Sequence, residues 1–171
     1  MAQPGGDQGD ILIVDDTPEN LKVLQQMLAE HGYRVRPAIN GKMALNAIQK
    51  MPPDLILLDI VMPGMDGYEV CQQLKAYERT CDIPVIFISA LHGTVDKLKA
   101  FQIGGVDYIT KPFQIEEVLA RVNTHITIRS QQKLIEAHNA ELQEALAKVK
   151  LLSGLLPICA NCKKIRDDEG F

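Results

Sequence analysis

Five polar side chains follow short apolar runs in this sequence, and their types could support phosphoryl chemistry. They are Asp15, Asp16, Asp59, Ser89 and Lys111. Each run has the length of a buried strand rather than that of a helix. In open α/β sheets, ligands bind outside the carboxyl ends of the strands. Neighbouring parallel strands would therefore bring all five side chains into one pocket, where the Asp59 carboxylate is a candidate nucleophile and phosphate acceptor.

Three carboxylates in one pocket need a compensating charge. At an effective dielectric constant near 20, two like charges about 4 Å apart repel by roughly 4 kcal/mol. Either their pKa values rise or a cation neutralises them, and carboxylates suit a small, hard cation such as Mg²⁺. The sequence therefore predicts a Mg²⁺ site at Asp15, Asp16 and Asp59. Lys111 could stabilise charge on a phosphoryl group, and Ser89 could donate a hydrogen bond to it.

Alternating strand-like and helix-like segments must position these residues. The predicted strands cover residues 11–14, 33–37, 54–58, 83–88 and 106–110. The predicted helices cover residues 18–31, a segment between 40 and 52, residues 68–77 and 95–103, and a fifth helix that starts near 115. Five βα units in sequence indicate an α/β fold with a doubly wound parallel sheet. The flavodoxin-like strand order 2-1-3-4-5 is one of the two common solutions.

Capping patterns mark the starts of several helices. Thr17, which precedes a proline, is the predicted cap of the first helix, and Asn40 is that of the second. Thr94 is a candidate cap of the fourth helix. The spacing of apolar residues in the second helix predicts that Met43, Ala44, Ala47 and Ile48 face the core.

These motifs together resemble the receiver domain of response regulators in two-component signalling. The matching features are Asp15-Asp16 after the first strand, Asp59 within Leu-Leu-Asp-Ile-Val-Met-Pro-Gly-Met-Asp-Gly, Ser89-Ala90 after the fourth strand, and Lys111-Pro112-Phe113 after the fifth. The resemblance covers about residues 10–129. It implies the flavodoxin-like strand order and transfer of a phosphoryl group to Asp59 from a sensor histidine kinase or a phosphotransfer protein. It also implies a phosphoacceptor domain and not an enzyme with a separate substrate.

The resemblance also assigns roles around the acceptor. It implies Mg²⁺ held by Asp16, Asp59 and the backbone carbonyl of Val61, with Asp15 acting mainly through water. It implies that Ser89 and Lys111 contact the phosphate.

Two further features follow from the same resemblance. Tyr108 matches the aromatic switch residue, which turns inward when Ser89 moves toward the phosphate. The bond between Lys111 and Pro112 is expected to be cis, and cis peptides are essentially confined to bonds that precede proline.

Three other readings compete with this one. A haloacid-dehalogenase-type phosphatase needs a second Asp two residues after the first, where this chain has Val61. A dinucleotide-binding fold needs a glycine-rich loop after the first strand, where this chain has Asp15-Asp16-Thr17-Pro18. The remaining alternative is a receiver-like module that binds a protein partner without phosphorylation. The complete set of acids and Lys111 argue against that alternative.

The segment 128–156 carries a seven-residue repeat that predicts a coiled coil. One seam consists of Ile128, Ile135, Leu142, Val149 and Leu156. A weaker second seam consists of Gln131, His138, Ala145 and Leu152. This pattern favours a long helix that forms a parallel dimer, and β-branched residues in the first seam favour a coiled coil of two helices. The alternative is an amphipathic helix that packs back on its own receiver domain.

Residues 157–171 contain a Cys-x-x-Cys pair, Cys159 and Cys162, which is half of a zinc knuckle. The pair resembles the start of a zinc-ribbon-like element, in which a second cysteine pair lies downstream. No second pair follows within the 171 residues. We therefore interpret the segment as a truncated tail; two chains of a dimer could also pool four thiolates.

Composition limits the remaining classes. The chain is 46% hydrophobic and 23% charged, with a formal net charge of −4. An acidic chain has no broad field that attracts nucleic acid or an anionic membrane, so direct nucleic-acid binding is not expected. No apolar run approaches the length of a membrane span. Residues 1–9 are interpreted as a disordered leader rather than a signal peptide, and we expect a cytoplasmic protein.

Overall fold

Five parallel strands form one sheet, with a helix after each strand. The computed structural model describes residues 8–90 and 93–155. The strands are β1 (Asp10–Val14), β2 (Arg34–Ala38), β3 (Leu55–Asp59), β4 (Val85–Ser89) and β5 (Asp107–Thr110). The helices are α1 (Pro18–Glu30), α2 (Gly41–Lys50), α3 (Gly67–Lys75), α4 (Thr94–Gln102) and α5 (Ile115–Leu155). The order β2-β1-β3-β4-β5 confirms the predicted flavodoxin-like α/β fold.

Both faces of the sheet are covered, which explains why the central strands are apolar without alternation. Every residue of β3 and β4 is buried. Successive side chains of a strand point to opposite faces of the sheet. As a result, Ile56 and Leu58 belong to one hydrophobic cluster, whereas Leu55 and Leu57 belong to the other.

The two clusters join different helices to the sheet. On one face the buried helix residues come from α2, α3 and α4, and they are Ala44, Ile48, Tyr68, Val70, Cys71, Leu74 and Ala100. On the other face they come from α1 and α5, and they are Leu21, Leu24, Met27, Leu28, Val118 and Val122. Helices on both faces of a parallel sheet are the doubly wound arrangement.

The strand register places the polar residues along one edge of the sheet. β3 pairs with β4 so that Asp59 lies beside Ile88, and β4 pairs with β5 so that Ser89 lies beside Thr110. β1 pairs with β3 on its other side. The residues that end or follow β1, β3, β4 and β5 therefore lie at the same edge, which is the carboxyl edge of all four strands.

The caps agree with the sequence only in part. Asn40 caps α2 as predicted, because its side-chain oxygen accepts the Met43 backbone N–H at 2.9 Å. Thr17 stands at the cap position of α1 but makes no capping hydrogen bond, and its hydroxyl instead donates to the preceding carboxylate. The prediction for Thr94 was wrong, because the cap of α4 is Gly93 and Thr94 is the first helical residue.

The inward face of α2 also differs from the prediction. Met43 is 46% exposed and does not belong to the core. The buried residues of this helix are Gly41, Ala44 and Ile48. These residues are spaced by three and four positions, whereas Met43 is one position from Ala44 and two from Gly41 and therefore lies outside their stripe.

Polar contacts tie the first part of α5 to β5. The carboxylate of Asp107 accepts a hydrogen bond from Arg121 and lies 3.2 Å from Nε2 of His125. Burial raises the pKa of Asp107, but hydrogen bonds from Arg121, the Tyr108 backbone and His125 outweigh burial and hold the pKa below its usual value. The charged form of Asp107 is thus the form that joins the two elements.

The fifth helix continues without interruption from Ile115 to Leu155, as the long C-terminal helix was predicted to do. The chain divides into two compact units after Arg129. The boundaries 1–9, 10–127, 128–156 and 157–171 stay predictions. Residues 1–7 of the leader and both cysteines of the tail, Cys159 and Cys162, lie outside the described residues. No helix in the described part of the chain is long and apolar enough to cross a membrane.

The turn from β3 into α3 closes tightly around a glycine. A Cβ on Gly67 would lie 2.2 Å from the carbonyl oxygen of Asp59, a distance that real Cβ atoms do not reach. The Gly67 N–H donates to the carbonyl of Ile60 at 2.9 Å. Gly64, at the tip of the same turn, has a φ of +82° and nothing within 4 Å of its Cβ position.

Alanine at the two glycines should therefore have unequal effects. We expect Gly67→Ala to lower the free energy of unfolding by about 3 kcal/mol or more, because backbone atoms must move to admit the methyl group. Gly64→Ala should cost only about 1–2 kcal/mol, the penalty for a left-handed backbone with a side chain. Urea unfolding followed by circular dichroism measures both values. Equal losses would contradict the close approach at Gly67.

Candidate functional site

Three carboxylates meet at the carboxyl edge of the sheet. Asp15 and Asp16 directly follow β1, and Asp59 is the last residue of β3. Each residue offers one carboxylate oxygen, and these oxygens all lie within 4.8 Å of one another. Asp15 and Asp59 are only 2% and 5% exposed, whereas Asp16 is exposed to solvent. The cluster thus has a buried floor of two acids and an open rim.

Lys111 joins the two buried acids. Its Nζ donates to Oδ2 of Asp59 at 2.6 Å and to Oδ2 of Asp15 at 2.7 Å. Its backbone N–H donates to the carbonyl of Ser89 at 2.8 Å, which fixes the residue at the end of β4. The peptide bond from Lys111 to Pro112 is cis, as the sequence resemblance implied.

Further hydrogen bonds orient the two buried carboxylates. Oδ1 of Asp15 accepts the backbone N–H of Thr17 at 2.8 Å, and Nδ2 of Asn20 donates to both carboxylate oxygens of Asp15 at 3.2 and 3.1 Å. Oδ1 of Asp59 accepts the backbone N–H of Val61 at 3.1 Å. Sequence reasoning missed Asn20. Its place in the first turn of a helix that follows the acid pair could have suggested it.

The acids outnumber the buried cation, and the pKa of Asp59 reflects this. Burial raises the pKa of Asp59, the hydrogen bond and charge of Lys111 oppose the rise, the charge of Asp15 adds to it, and the net pKa is above the usual value. Burial lowers the pKa of Lys111, but its bonds to Asp15 and Asp59 outweigh burial and raise the net pKa. Asp15 and Asp59 share the single ammonium group of Lys111. Lys111 therefore stays charged, whereas ionising Asp59 beside Asp15 carries a free-energy cost.

Ser89 and Tyr108 form a second polar group next to this cluster. Both side chains are buried; burial raises the pKa of Tyr108, and the nearby Ser89 hydroxyl lowers it in part. Tyr108 pairs across the strands with Phe87, which places its ring on the same face as Phe87 and Ser89. Nζ of Lys97 lies 5.6 Å from the centre of the Tyr108 ring. The aromatic side chain therefore occupies an inward position against β4 and contacts α4.

The predicted site residues thus form two neighbouring groups of side chains, the acidic cluster with Lys111 and the pair of Ser89 and Tyr108. Asp15, Asp16, Asp59 and Lys111 are in mutual reach, and Ser89 is linked to Lys111 through the backbone and lies near Tyr108. The donor set of the first group consists of carboxylate oxygens. Such oxygens suit a hard divalent cation, and a cation there would offset the excess negative charge of the three acids.

Comparison with known proteins identifies the family. The response regulator receiver domain matches residues 11–123. The DNA-binding dual master transcriptional regulator RpaA of Synechocystis sp. is 45% identical over 112 residues, which cover 66% of this chain and 46% of RpaA. The response regulator PleD of Caulobacter vibrioides is 41% identical over 114 residues, which cover 67% of this chain and 25% of PleD. The chain thus spans less than half the length of either relative.

Solved structures agree with the sequence comparison. The receiver domain of the Francisella response regulator 1452 is 33% identical, with a TM-score of 0.66, and the match covers 70% of this chain and 97% of that domain. The matched region of the family contains β1 from its second residue, all of β2 to β5 and the first turns of α5, and it therefore includes every residue of the acidic cluster and Lys111. The chain belongs to the response regulator receiver domain family of two-component signalling.

Proposed function

We propose that this chain accepts a phosphoryl group on Asp59 and signals through a change at β4, α4 and β5. One observation carries the proposal. Two buried acids and one exposed acid from two different strand ends lie within 4.8 Å of one another, and Lys111 from a third strand end donates to two of them. Such a cluster is costly for folding alone, since like charges repel in a poorly solvated site.

The acidic cluster fits Mg²⁺. We infer that Asp16 and Asp59 hold the ion directly, together with the carbonyl of Val61, and that Asp15 acts mainly through water. The exposed position of Asp16 at the rim leaves room for the water ligands that Mg²⁺ retains in proteins. When bound, Mg²⁺ would supply positive charge beside phosphoryl oxygens and would ease their approach to a carboxylate.

The transfer itself uses a carboxylate oxygen of Asp59 as nucleophile. The oxygen attacks phosphorus, the new bond is an acyl phosphate, and the bond from phosphorus to the donor's imidazole nitrogen breaks; that nitrogen then takes a proton. The ammonium of Lys111 lies 2.6 Å from Oδ2 of Asp59, so it can follow the developing negative charge on the phosphoryl oxygens. The donor would be a sensor histidine kinase or a phosphotransfer protein.

The proximity of Ser89 and Tyr108 offers a route from the site to the surface. A phosphoryl group on Asp59 would attract the Ser89 hydroxyl, and Tyr108 would lose or change this partner. Tyr108 also contacts Lys97 of α4, so its rearrangement would alter the surface formed by α4 and β5. The phosphoryl group can shift this equilibrium only by its preference for the active state.

The remaining parts of the proposal concern association. We propose that the segment 128–156 pairs with a second copy of the chain and that the dimer passes the change to an output. The binding of a partner without phosphorylation is the alternative function. Labelling with acetyl phosphate distinguishes it, because such a module would not need to take up a phosphoryl group.

Acetyl phosphate with Mg²⁺ should phosphorylate the chain at one position. We expect intact-protein mass spectrometry to show one added phosphoryl group in the wild type and none in Asp59→Asn, because the amide is a poor nucleophile. Asp66→Asn is the matched control: it lies in the same loop, and either residue type can cap α3. Equal labelling of wild type and Asp59→Asn would exclude Asp59 as the acceptor and favour the alternative function.

Mg²⁺ should stabilise the wild type through the acidic cluster. We expect the melting temperature to rise with Mg²⁺ concentration, since an ion that binds only the folded state stabilises it by mass action. Asp16→Asn should weaken Mg²⁺ binding at least roughly tenfold, because the variant loses a carboxylate of the donor set. Glu19→Gln, an exposed acid in the first turn of α1, serves as the control. The same Mg²⁺ dependence in all three proteins would contradict the assignment.

The charge balance of the site predicts a pH-dependent gain in stability. The pKa of Asp59 is raised in the folded state, so its ionised form disfavours folding above that pKa, and the penalty vanishes below the unfolded value. In metal-free buffer, Asp59→Asn should therefore raise the free energy of unfolding at pH 7 by on the order of 1 kcal/mol. The gain should shrink as the pH falls toward 4. Urea unfolding across this range measures it, and a gain that grows on acidification would refute the charge argument.

A further inference from the structure

The distal part of α5 exposes an apolar column along one side. Every residue from Gln131 to Val149 is exposed, and the side chains of Ile135, Leu142 and Val149 are 60% to 61% exposed. These three recur every seven residues, which is the spacing of a coiled-coil seam. Most helical stability in proteins comes from the packing of an apolar face, so a partner that covers this column would stabilise the helix.

This column could form a coiled-coil seam with a second column on either of its two sides; each possible seam is called a completion. A coiled coil needs a second column at a spacing of three and four residues from the first. On one side the second column is Gln131, His138 and Ala145, and on the other side it is Gln132, Asn139 and Leu146. Beyond Val149 the columns continue as Leu152 and Ser153, whose side chains lie outside the described set.

The two completions are closely matched in chemistry. Both begin with glutamine and include one further polar residue, His138 or Asn139, followed by an apolar one. With His138 in the seam, the β-branched residues of the shared column occupy the positions at which they favour two strands. With Asn139 in the seam, an asparagine occupies the position at which it fixes register, and the exposed side chain of Leu146 is buried. Each completion thus has one advantage that the other lacks.

The polar rows point to a second copy of this chain as the partner. A glutamine or asparagine amide both donates and accepts hydrogen bonds, so each is complementary to an identical residue. Identical residues face each other only when two copies lie parallel and in register. Both completions place glutamine opposite glutamine, and one places Asn139 opposite Asn139.

We propose that two copies of α5 pair in parallel through two alternative seams that share the column of Ile135, Leu142 and Val149. The inference rests on the dimer proposed above and adds its register. Exchange between the seams rotates each helix about its own axis by about 50°, one seventh of a turn in a coiled coil with 3.5 residues per turn. The surface therefore fits one partner in two arrangements.

Disulfide formation between the copies can report which seam is closed. Gln131→Cys and Gln132→Cys are matched reporters, since both replace the same residue type and each lies in only one seam. The full-length chain carries Cys81→Ser, Cys159→Ser and Cys162→Ser in addition, and it keeps the fully buried Cys71. Mild oxidation followed by non-reducing electrophoresis gives the initial rate for each reporter.

The proposal expects both reporters to react, with rates within about threefold of each other. His138→Leu should shift the ratio toward the residue-131 reporter by roughly tenfold, because a leucine in that seam adds buried apolar surface. Asn139→Leu should shift the ratio toward the residue-132 reporter by a similar factor. The proposal is overturned if one reporter dominates by more than about tenfold and neither leucine moves the ratio, or if both leucines move it the same way.

A third variant separates the register from the dimer itself. Leu142 lies in the shared column, so Leu142→Cys should form the disulfide in either seam. Rapid oxidation of this variant together with a single active reporter would retain the proposed dimer and overturn the two seams. Failure of Leu142→Cys to cross-link at a chain concentration where all variants remain folded would overturn the parallel dimer and the two seams together, and it would leave the assignment of Asp59 untouched.

Discussion

Electrostatic repulsion between the acidic side chains at the carboxyl edge of the sheet is the main cost that the packing of this structure must offset. Two carboxylates are nearly inaccessible to water and a third stands beside them, and among the described residues a single cation, Lys111, bonds to both buried ones. The sheet can hold this arrangement because its strands are apolar on both faces and well packed. The hydrophobic clusters on the two faces fix the strand ends, and the strand ends fix the acids. The unfavourable electrostatics are therefore local, whereas the forces that oppose them are spread over the whole core.

Much of this could be predicted from the sequence, because parallel strands that are buried on both sides are recognisable as short apolar runs. The positions of Asp15, Asp59 and Lys111 followed from the ends of those runs, and the resemblance to receiver domains supplied the strand order. The details that failed depend on side-chain direction. Gly93 rather than Thr94 caps α4, and Met43 faces solvent, since neither outcome is set by residue type or spacing alone.

Other features could not have been predicted without coordinates. Asn20 reaches Asp15 because the first turn of α1 folds back over the end of β1. The proximity of Ser89 and Tyr108 depends on the register of β4 and β5, which a single sequence does not specify. The seven-residue repeat of the helix beyond the receiver region, in contrast, can be recognised in the sequence. The spacing of apolar residues does not decide which neighbouring column completes the coiled-coil seam.

Backbone contacts close the base of the loop after β3, and this closure affects which loop residues can change in related domains. The backbone of Gly67 touches that of Asp59 and is bonded to Ile60, so the two ends of the loop are held together independently of what lies between them. Around Gly64 the loop has free space. A side chain at this outer position would strain the local backbone but would meet no atom that could displace the carboxylate below. The residues that a partner protein contacts at the opening of the site can thus change during evolution while the residues of the acidic cluster stay the same.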